Sequence, residues 1–205
     1  MKILDGLKLK GRVVEIPDCG RDDLARFMYE DVGYRVGAEI GVDRGEYGKV
    51  LCDAGLEVYG VDCWESYDQY KRPERFKNSM DVAIKTLKGC NYHIIKKYSM
   101  DALSGFEDGS LDFVYIDANH TLPYVTADIF GWERKVRKGG IVSGHDYAVI
   151  KGGREGIPDP VYDGCHVKPA VNACVEVMKI RKLCILGKRD EGYRDKWRSW
   201  FWIKA

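Results

Sequence analysis

The sequence has no cysteine pair at metal-finger or redox spacing. Its seven cysteines, at 19, 52, 63, 90, 165, 174 and 184, form no C-x-x-C, and several lie inside apolar runs. An odd number without framework spacing argues against a disulfide scaffold or a zinc site. It favours reduced thiols in a cytoplasmic protein, each acting as a small buried hydrophobe. No apolar stretch approaches the ~20 residues of a membrane span, and Met1-Lys2-Ile3-Leu4-Asp5 lacks a signal-peptide core. The net charge of +1 leaves no bulk attraction to nucleic acid or to a membrane surface. Internal repeats and low-complexity tracts are absent. What is present is an ordinary globular composition, 45% apolar and 32% charged. Its 205 residues suit one domain with a single large core, expected to span 1–205.

The chain is organised around Val36-Gly37-Ala38-Glu39-Ile40-Gly41-Val42-Asp43-Arg44-Gly45-Glu46-Tyr47-Gly48. A short apolar run enters a glycine-spaced turn, and Tyr47 to Ala54, closed by Gly55, reads as a helix. Strand, tight turn and helix N-terminus together let backbone approach a ligand closely. Asp62 lies twenty-one residues beyond Gly41, at the end of a second apolar run from Leu56 to Val61. An acid at that spacing is placed to take both hydroxyls of a ribose. The residues therefore point to a nucleoside-containing cofactor. A glycine turn that only packs helix on strand, beside a solvated carboxylate, is the plainer alternative.

Around this stretch the chain alternates. Residues 1–30 form an N-terminal arm and helix: 6–16 reads as an edge strand or an arm, and Arg21 to Asp31 as a short helix with Leu24, Phe27 and Met28 on one face. A polar-aromatic loop, 63–70, follows Asp62. Pro73 then opens a helix carrying Phe76, Met80, Ile84 and Leu87 and stopped by Gly89. His93 to Tyr98 is a third strand, tipped by Ser99-Met100-Asp101. Leu111 to Asp117 is a strongly buried strand running into Ala118-Asn119-His120. A helix from Tyr124 to Arg137 turns Val125, Ile129, Trp132 and Val136 inward and is expected to end at Gly139-Gly140. Ile141 to Gly144 is a fifth strand, tipped by His145-Asp146-Tyr147. The Gly- and Pro-rich 148–165 segment reads as a lid or substrate loop. A helix from Pro169 to Lys179 and two strands, Leu183–Leu186 and Ser199–Lys204, close the chain. The strands are joined by a charged turn and must be antiparallel. The aromatics Trp197, Trp200, Phe201 and Trp202 read as core packing on a strand, and the Lys/Arg-rich stretch 179–198 as a solvated hairpin.

This pattern predicts an α/β, Rossmann-like, doubly wound fold: a mostly parallel seven-stranded sheet with an antiparallel C-terminal hairpin at its edge. In such a sheet the polar tips gather at the carboxyl ends of the strands, where ligands bind.

Five alternating units, the glycine turn, the acid after the second strand and the closing pair resemble the class I S-adenosylmethionine-dependent methyltransferases. Within that class the resemblance rests on three motifs in order. They are Glu39-Ile40-Gly41-Val42-Asp43-Arg44-Gly45-Glu46, Tyr115-Ile116-Asp117-Ala118-Asn119-His120 and Gly140-Ile141-Val142-Ser143-Gly144-His145-Asp146-Tyr147. These look most like the small-molecule O-methyltransferases that include the macrolide-sugar methyltransferases and the cephalosporin hydroxylase-associated proteins. Two positions depart from the pattern: Asp43 stands where the class often has glycine, and His145 where the metal-dependent members have glutamate.

The resemblance implies S-adenosyl-L-methionine as cofactor. Glu39, Gly41 and Gly45 would line its methionine part, Arg44 would meet its carboxylate, Asp62 would hold the ribose, and Met100 and Asp101 would frame the adenine. Met100 and Asp101 serve equally as an ordinary helix start, and Arg44 as a surface residue. Asp117, His145 and Asp146 map onto metal ligands for Mg²⁺ or Mn²⁺, with imidazole favouring Mn²⁺ or Fe²⁺ over Mg²⁺. His120 maps onto a general base, its ordinary pKa near ~6.5 suiting that role. In the competing reading His145 and Asp146 only cap the next segment, and Asp117 is an electrostatic partner of the sulfonium.

The expected activity is therefore methyl transfer to a hydroxyl of a small molecule, with Asp117 and His120 catalytic. A non-catalytic cofactor-binding module is the alternative. N-methylation, or methylation of RNA or protein, is a further one, because fold does not fix function. A nicotinamide-dependent dehydrogenase is disfavoured, since no G-x-G-x-x-G stands at the first turn. The N-terminal arm is the candidate element for a homodimer.

Overall fold

The computed structural model describes residues 2–65, 76, 78–151, 164–187 and 197–205. The loop beyond Glu65, the helix start at Pro73, most of the 148–165 segment and the charged turn 188–196 lie outside the described residues. Ten strands are described: β1 (Val13–Ile16), β2 (Val36–Ile40), β3 (Glu57–Asp62), β4 (Tyr92–Lys96), β5 (Leu111–Ile116), β6 (Val136–Gly144), β7 (Ile150–Lys151), β8 (Gly164–Cys165), β9 (Leu183–Leu186) and β10 (Ser199–Ile203). The helices are α1 (Ile3–Lys8), α2 (Arg21–Arg26), α3 (Glu46–Asp53), α4 (Ser79–Thr86), α5 (Ser99–Ala102), α6 (Leu122–Lys135) and α7 (Val167–Val177). A π-helical turn, Phe27–Asp31, extends α2.

Eight strands form one sheet in the order β1-β9-β10-β6-β5-β2-β3-β4, and β7 and β8 form a small antiparallel pair. The expected count of seven is corrected by β1, which pairs parallel to β9 from Val13–Leu183 to Ile16–Leu186. Of the 6–16 segment read as an edge strand or an arm, only Val13–Ile16 forms the strand, and residues 6–8 belong to α1. Arg12 fastens this segment to the end of α7, donating to the carbonyls of Val175 (2.8 Å) and Ile180 (3.1 Å) and pairing with Glu176.

The C-terminal hairpin is not at the sheet edge. β10 runs antiparallel between β6 and β9, and every other pairing in the large sheet is parallel. The reason is burial on both faces: Trp200, Phe201 and Trp202 are consecutive and all fully buried. A strand with three large apolar neighbours in a row satisfies them only with cover on each side. Trp200 and Trp202 join the core under α6 and α7 with Ile40, Val114, Ile129 and Trp132. Phe201 joins the opposite core under α1 to α3 with Ile16, Leu24, Leu51 and Tyr115.

Two helix readings are also corrected. α6 stops at Lys135 rather than at Gly139-Gly140, because Val136 already enters β6. The glycines lie inside that strand, where the β5–β6 register shifts between Leu111 and Phe113. A Cβ on Gly140 would stand 2.5 Å from the Asp112 carbonyl oxygen, so the absence of a side chain is what lets the irregular strand close on β5. Ala83 on α4 and Leu87 just past its end are buried, whereas Ile84 faces solvent.

Candidate active site

The carboxyl ends of β2 and β3 are held by backbone. Gly41 leaves β2 with φ +93°, and a Cβ there would sit 2.2 Å from the Asp117 carbonyl oxygen. Glycine is thus required both for the turn and for the contact between the tips of β2 and β5. Gly45, φ +76°, opens α3 with its N–H on the Val42 carbonyl at 2.8 Å.

The Asp62 carboxylate closes this turn. One oxygen accepts the N–H groups of Val42 and Asp43, both at 2.9 Å, and the other accepts that of Trp64 at 2.8 Å. A carboxylate offers about four acceptor sites, so one remains for a ligand. The Trp64 indole N–H donates to the Asp43 carbonyl at 2.8 Å, which ties β3 to the glycine turn a second time. Arg44 is exposed on that turn.

Glu39 lies beneath the turn rather than on its open side. It is 2% exposed and accepts the Tyr92 hydroxyl, and a Cβ on Gly48 would come within 2.7 Å of its carboxylate. Burial pushes its pKa up to about 8 despite the Tyr92 bond. Glu39 is thus packed against α3, held by the Tyr92 hydroxyl.

At the tip of β4, Met100 and Asp101 are exposed on α5. Between that tip and α6 lies a polar group absent from the expected set. Asp128 accepts the Ser99 hydroxyl, and the Trp132 indole N–H donates to the same Ser99 oxygen at 2.8 Å. Asp128 is 4% exposed, and burial raises its pKa to about 7. It was legible as an anomaly: Val125, Asp128, Ile129 and Trp132 follow helical spacing, and an acid on that apolar stripe needs a partner.

The tips of β5 and β6 carry side chains instead of a glycine turn. The Asp117 N–H bonds to the Ile40 carbonyl (2.7 Å), and the His145 N–H to the Ile116 carbonyl (3.1 Å), so both residues extend the ladder beyond the strands. Asp146 has a left-handed φ of +52°, which turns its carboxylate back toward His120. The His120 Nε2 thereby stands 3.2 Å from both Asp117 and Asp146. His145 Nδ1 lies 3.2 Å from Asp146 and 3.8 Å from Asp117. Burial lowers the His120 pKa, but the Asp117 bond and the charges of both carboxylates outweigh it, and the net shift is upward. Burial likewise raises that of Asp146, yet His145 and His120 bring it below the ordinary carboxylate value.

Asp117, His120 and Asp146 offer ligand atoms within 4.8 Å of one another. Of the expected set Asp117, His145 and Asp146, both carboxylates fall in this group, with His120 as its imidazole, and His145 stands beside it, 3.2 Å from Asp146. Two neighbours were not foreseen. Asn119 uses its carbonyl oxygen for the Thr121 N–H and hydroxyl, and the His166 N–H holds the His120 carbonyl at 2.7 Å. Gly41, Asp62, Asp117 and His145 therefore all stand at one end of the sheet, on neighbouring strand tips.

An open, mostly parallel sheet with one reversed strand, a glycine turn after β2 and an acid ending β3 is the architecture of the class I S-adenosylmethionine-dependent methyltransferases. A family model described as a methyltransferase domain matches residues 38–147, more than half of the chain. The chain belongs to that family. No curated protein matches it significantly. Among solved structures it is similar to the O-methyltransferase from Bacillus cereus in complex with SAH (TM-score 0.60, 16% identity, covering 98% of this chain and 87% of that one). It is also similar to the O-methyltransferase TomG from Streptomyces achromogenes, involved in tomaymycin synthesis, in complex with SAM (TM-score 0.59, 17% identity, 90% and 80%). A third is a SAM-dependent methyltransferase from Archaeoglobus fulgidus (TM-score 0.55, 14% identity, 90% and 95%). Among the described residues no helix is long and apolar enough to cross a membrane.

Proposed function

We propose that the protein transfers a methyl group from S-adenosylmethionine to a hydroxyl oxygen of a small molecule, with His120 as general base. The observation that carries the reading is the His120 imidazole, 3.2 Å from both Asp117 and Asp146, with the Asp117 backbone packed against Gly41 of the β2 glycine turn. When bound, the cofactor supplies an electrophilic methyl group for in-line displacement. The chain's task is then to position the two reactants and to move one proton. Backbone at Gly41 and Gly45 gives close approach, and the free acceptor site of Asp62 takes a ribose hydroxyl. The Nε2–H of His120 donates to Asp117 and Asp146, so the acceptor's hydroxyl proton goes to Nδ1, and the two carboxylates stabilise the imidazolium that results. The bound structures of TomG and the Bacillus cereus enzyme support the choice of cofactor.

The donor set also fits a divalent cation of the Mn²⁺ or Fe²⁺ kind, held by Asp117, His120 and Asp146. Such an ion would supply Lewis-acid lowering of the hydroxyl pKa. Held through Nε2, it would take the two carboxylates away from the imidazolium, so the two roles of His120 compete.

The test is calorimetric titration with S-adenosylhomocysteine, with NADH as control, each with EDTA and with Mn²⁺. It is paired with transfer from isotopically labelled S-adenosylmethionine to a panel of sugars, phenols and carboxylic acids. Binding of the homocysteine product but not of NADH, with label recovered on oxygen, is expected. Absence of binding overturns the reading. Binding in which Mn²⁺ restores activity lost to EDTA assigns His120 to the metal instead of to the proton.

A further inference from the structure

α5 is only four residues long, with no side-chain cap at its start. A helix of that length does not hold itself. Its position is set from outside, by α6. The Ser99 hydroxyl donates to Asp128 and accepts from Trp132, so its rotor is fixed and one lone pair remains. One turn further along α6, Gly131 admits the neighbouring side chains: a Cβ there would stand 2.7 Å from a Leu103 methyl and 3.2 Å from the Met100 terminal methyl.

The same helix begins at Leu122, two residues after His120. A rise of ~1.5 Å per residue puts Asp128 about 9 Å along that helix from its first residue. The helix that starts just after the proposed base thus clamps the tip of β4 with its middle. An apolar side chain at 128 would fill the core without the cost of burying a carboxyl group. A buried polar pair instead fixes one orientation of Ser99 and of the Met100-Asp101 backbone that follows it.

We propose that Asp128 is a positioning residue for the cofactor: acting through Ser99, it sets the tip of β4 against which the adenine rests. The proposal builds on the methyltransferase reading above.

The test compares Asp128→Ala, Asp128→Asn, Ser99→Ala and the Asp128→Ala/Ser99→Ala double variant. It measures S-adenosylhomocysteine affinity by calorimetry, KM for S-adenosylmethionine, kcat and thermal midpoint. Asp128→Ala and Ser99→Ala each weaken affinity and raise KM about tenfold, with kcat within about threefold of the wild type. Asp128→Asn, whose amide oxygen still accepts from Ser99, stays within about threefold. The double variant is no worse than either single one, because both remove the same interaction. Single variants that melt earlier but bind the ligand as the wild type does overturn the proposal and leave Asp128 as packing. If Asp128→Ala does not fold, Ser99→Ala and Asp128→Asn decide it in the same way. A wild-type protein that fails to bind the ligand at all removes the methyltransferase reading itself, a distinct result.

Discussion

The two halves of the strand-tip row are built from different material. At β2 and β3 the geometry is made by backbone: glycines at positive φ, N–H groups turned inward, and a carboxylate, Asp62, already holding three of them. At β5 and β6 it is made by side chains: two carboxylates and two imidazoles bonded to one another, arranged by the left-handed Asp146. A backbone site is stiff, and its N–H groups do not titrate. A side-chain site can exchange a proton or an ion. The first suits holding a cofactor of fixed shape, and the second suits chemistry.

That contrast is open to direct attack. The largest effect is expected from His120→Ala, which removes the proton acceptor: kcat falls about 10²- to 10⁴-fold, while S-adenosylhomocysteine affinity stays within about threefold. A comparable loss of affinity would mean that the two halves are not separable. Next comes Gly41→Ala. Its methyl would collide with the Asp117 backbone at a φ unsuited to alanine. The expected cost is about 3 kcal/mol or more of stability, read from urea unfolding, with cofactor binding lost.

Glu39 tests whether the backbone half is truly insensitive to pH, since it lies beneath that turn. Its carboxyl titrates from 4.5 in the unfolded chain to about 8 when buried. Between those values the folded state holds the extra proton. The stabilisation is therefore complete below about 4.5 and is lost as pH rises through about 8, with a slope of up to ~1.4 kcal/mol per pH unit. Glu39→Gln should flatten the wild-type decline of urea midpoint across that window. An unchanged slope would show that another group carries it. The smallest effect is expected from Asp62→Asn, which turns one acceptor oxygen into a donor facing backbone N–H groups. About 1–2 kcal/mol of stability is lost, with a matching drop in S-adenosylhomocysteine affinity by titration.

Much of the fold was legible. Val36–Ile40, Leu111–Ile116 and Leu183–Leu186 are short apolar runs bounded by polar or glycine residues, and each forms a strand. The glycine turn and Asp62 were readable because backbone geometry demands particular residue types at particular spacings. The departures are long-range. Whether 13–16 pairs depends on β9, about 170 residues away, and the place of β10 inside the sheet depends on its pairing with β6 and β9 and on the two cores that cover Trp200, Phe201 and Trp202. Gly139 and Gly140 read as a helix stop because a glycine pair is the usual local signal for one. In the fold they serve a strand irregularity that exists only once β5 is alongside.

The candidate site divides the same way. Asp117, His120, His145 and Asp146 were visible as a set, since parallel strands deliver their tips to one end of the sheet. Which imidazole stands between the carboxylates was not visible, because it turns on the positive φ of one non-glycine residue, Asp146. By itself the sequence determined the alternation of strands and helices, the glycine turn and the chemical identity of the groups at the strand tips, all of which follow from local periodicity and residue type. Tertiary structure alone decided that His120 takes the centre, that β1 completes the sheet and that Asp128 reaches Ser99. Each of those depends on contacts between segments far apart in the chain, whose approach is set by packing and not by neighbouring residues.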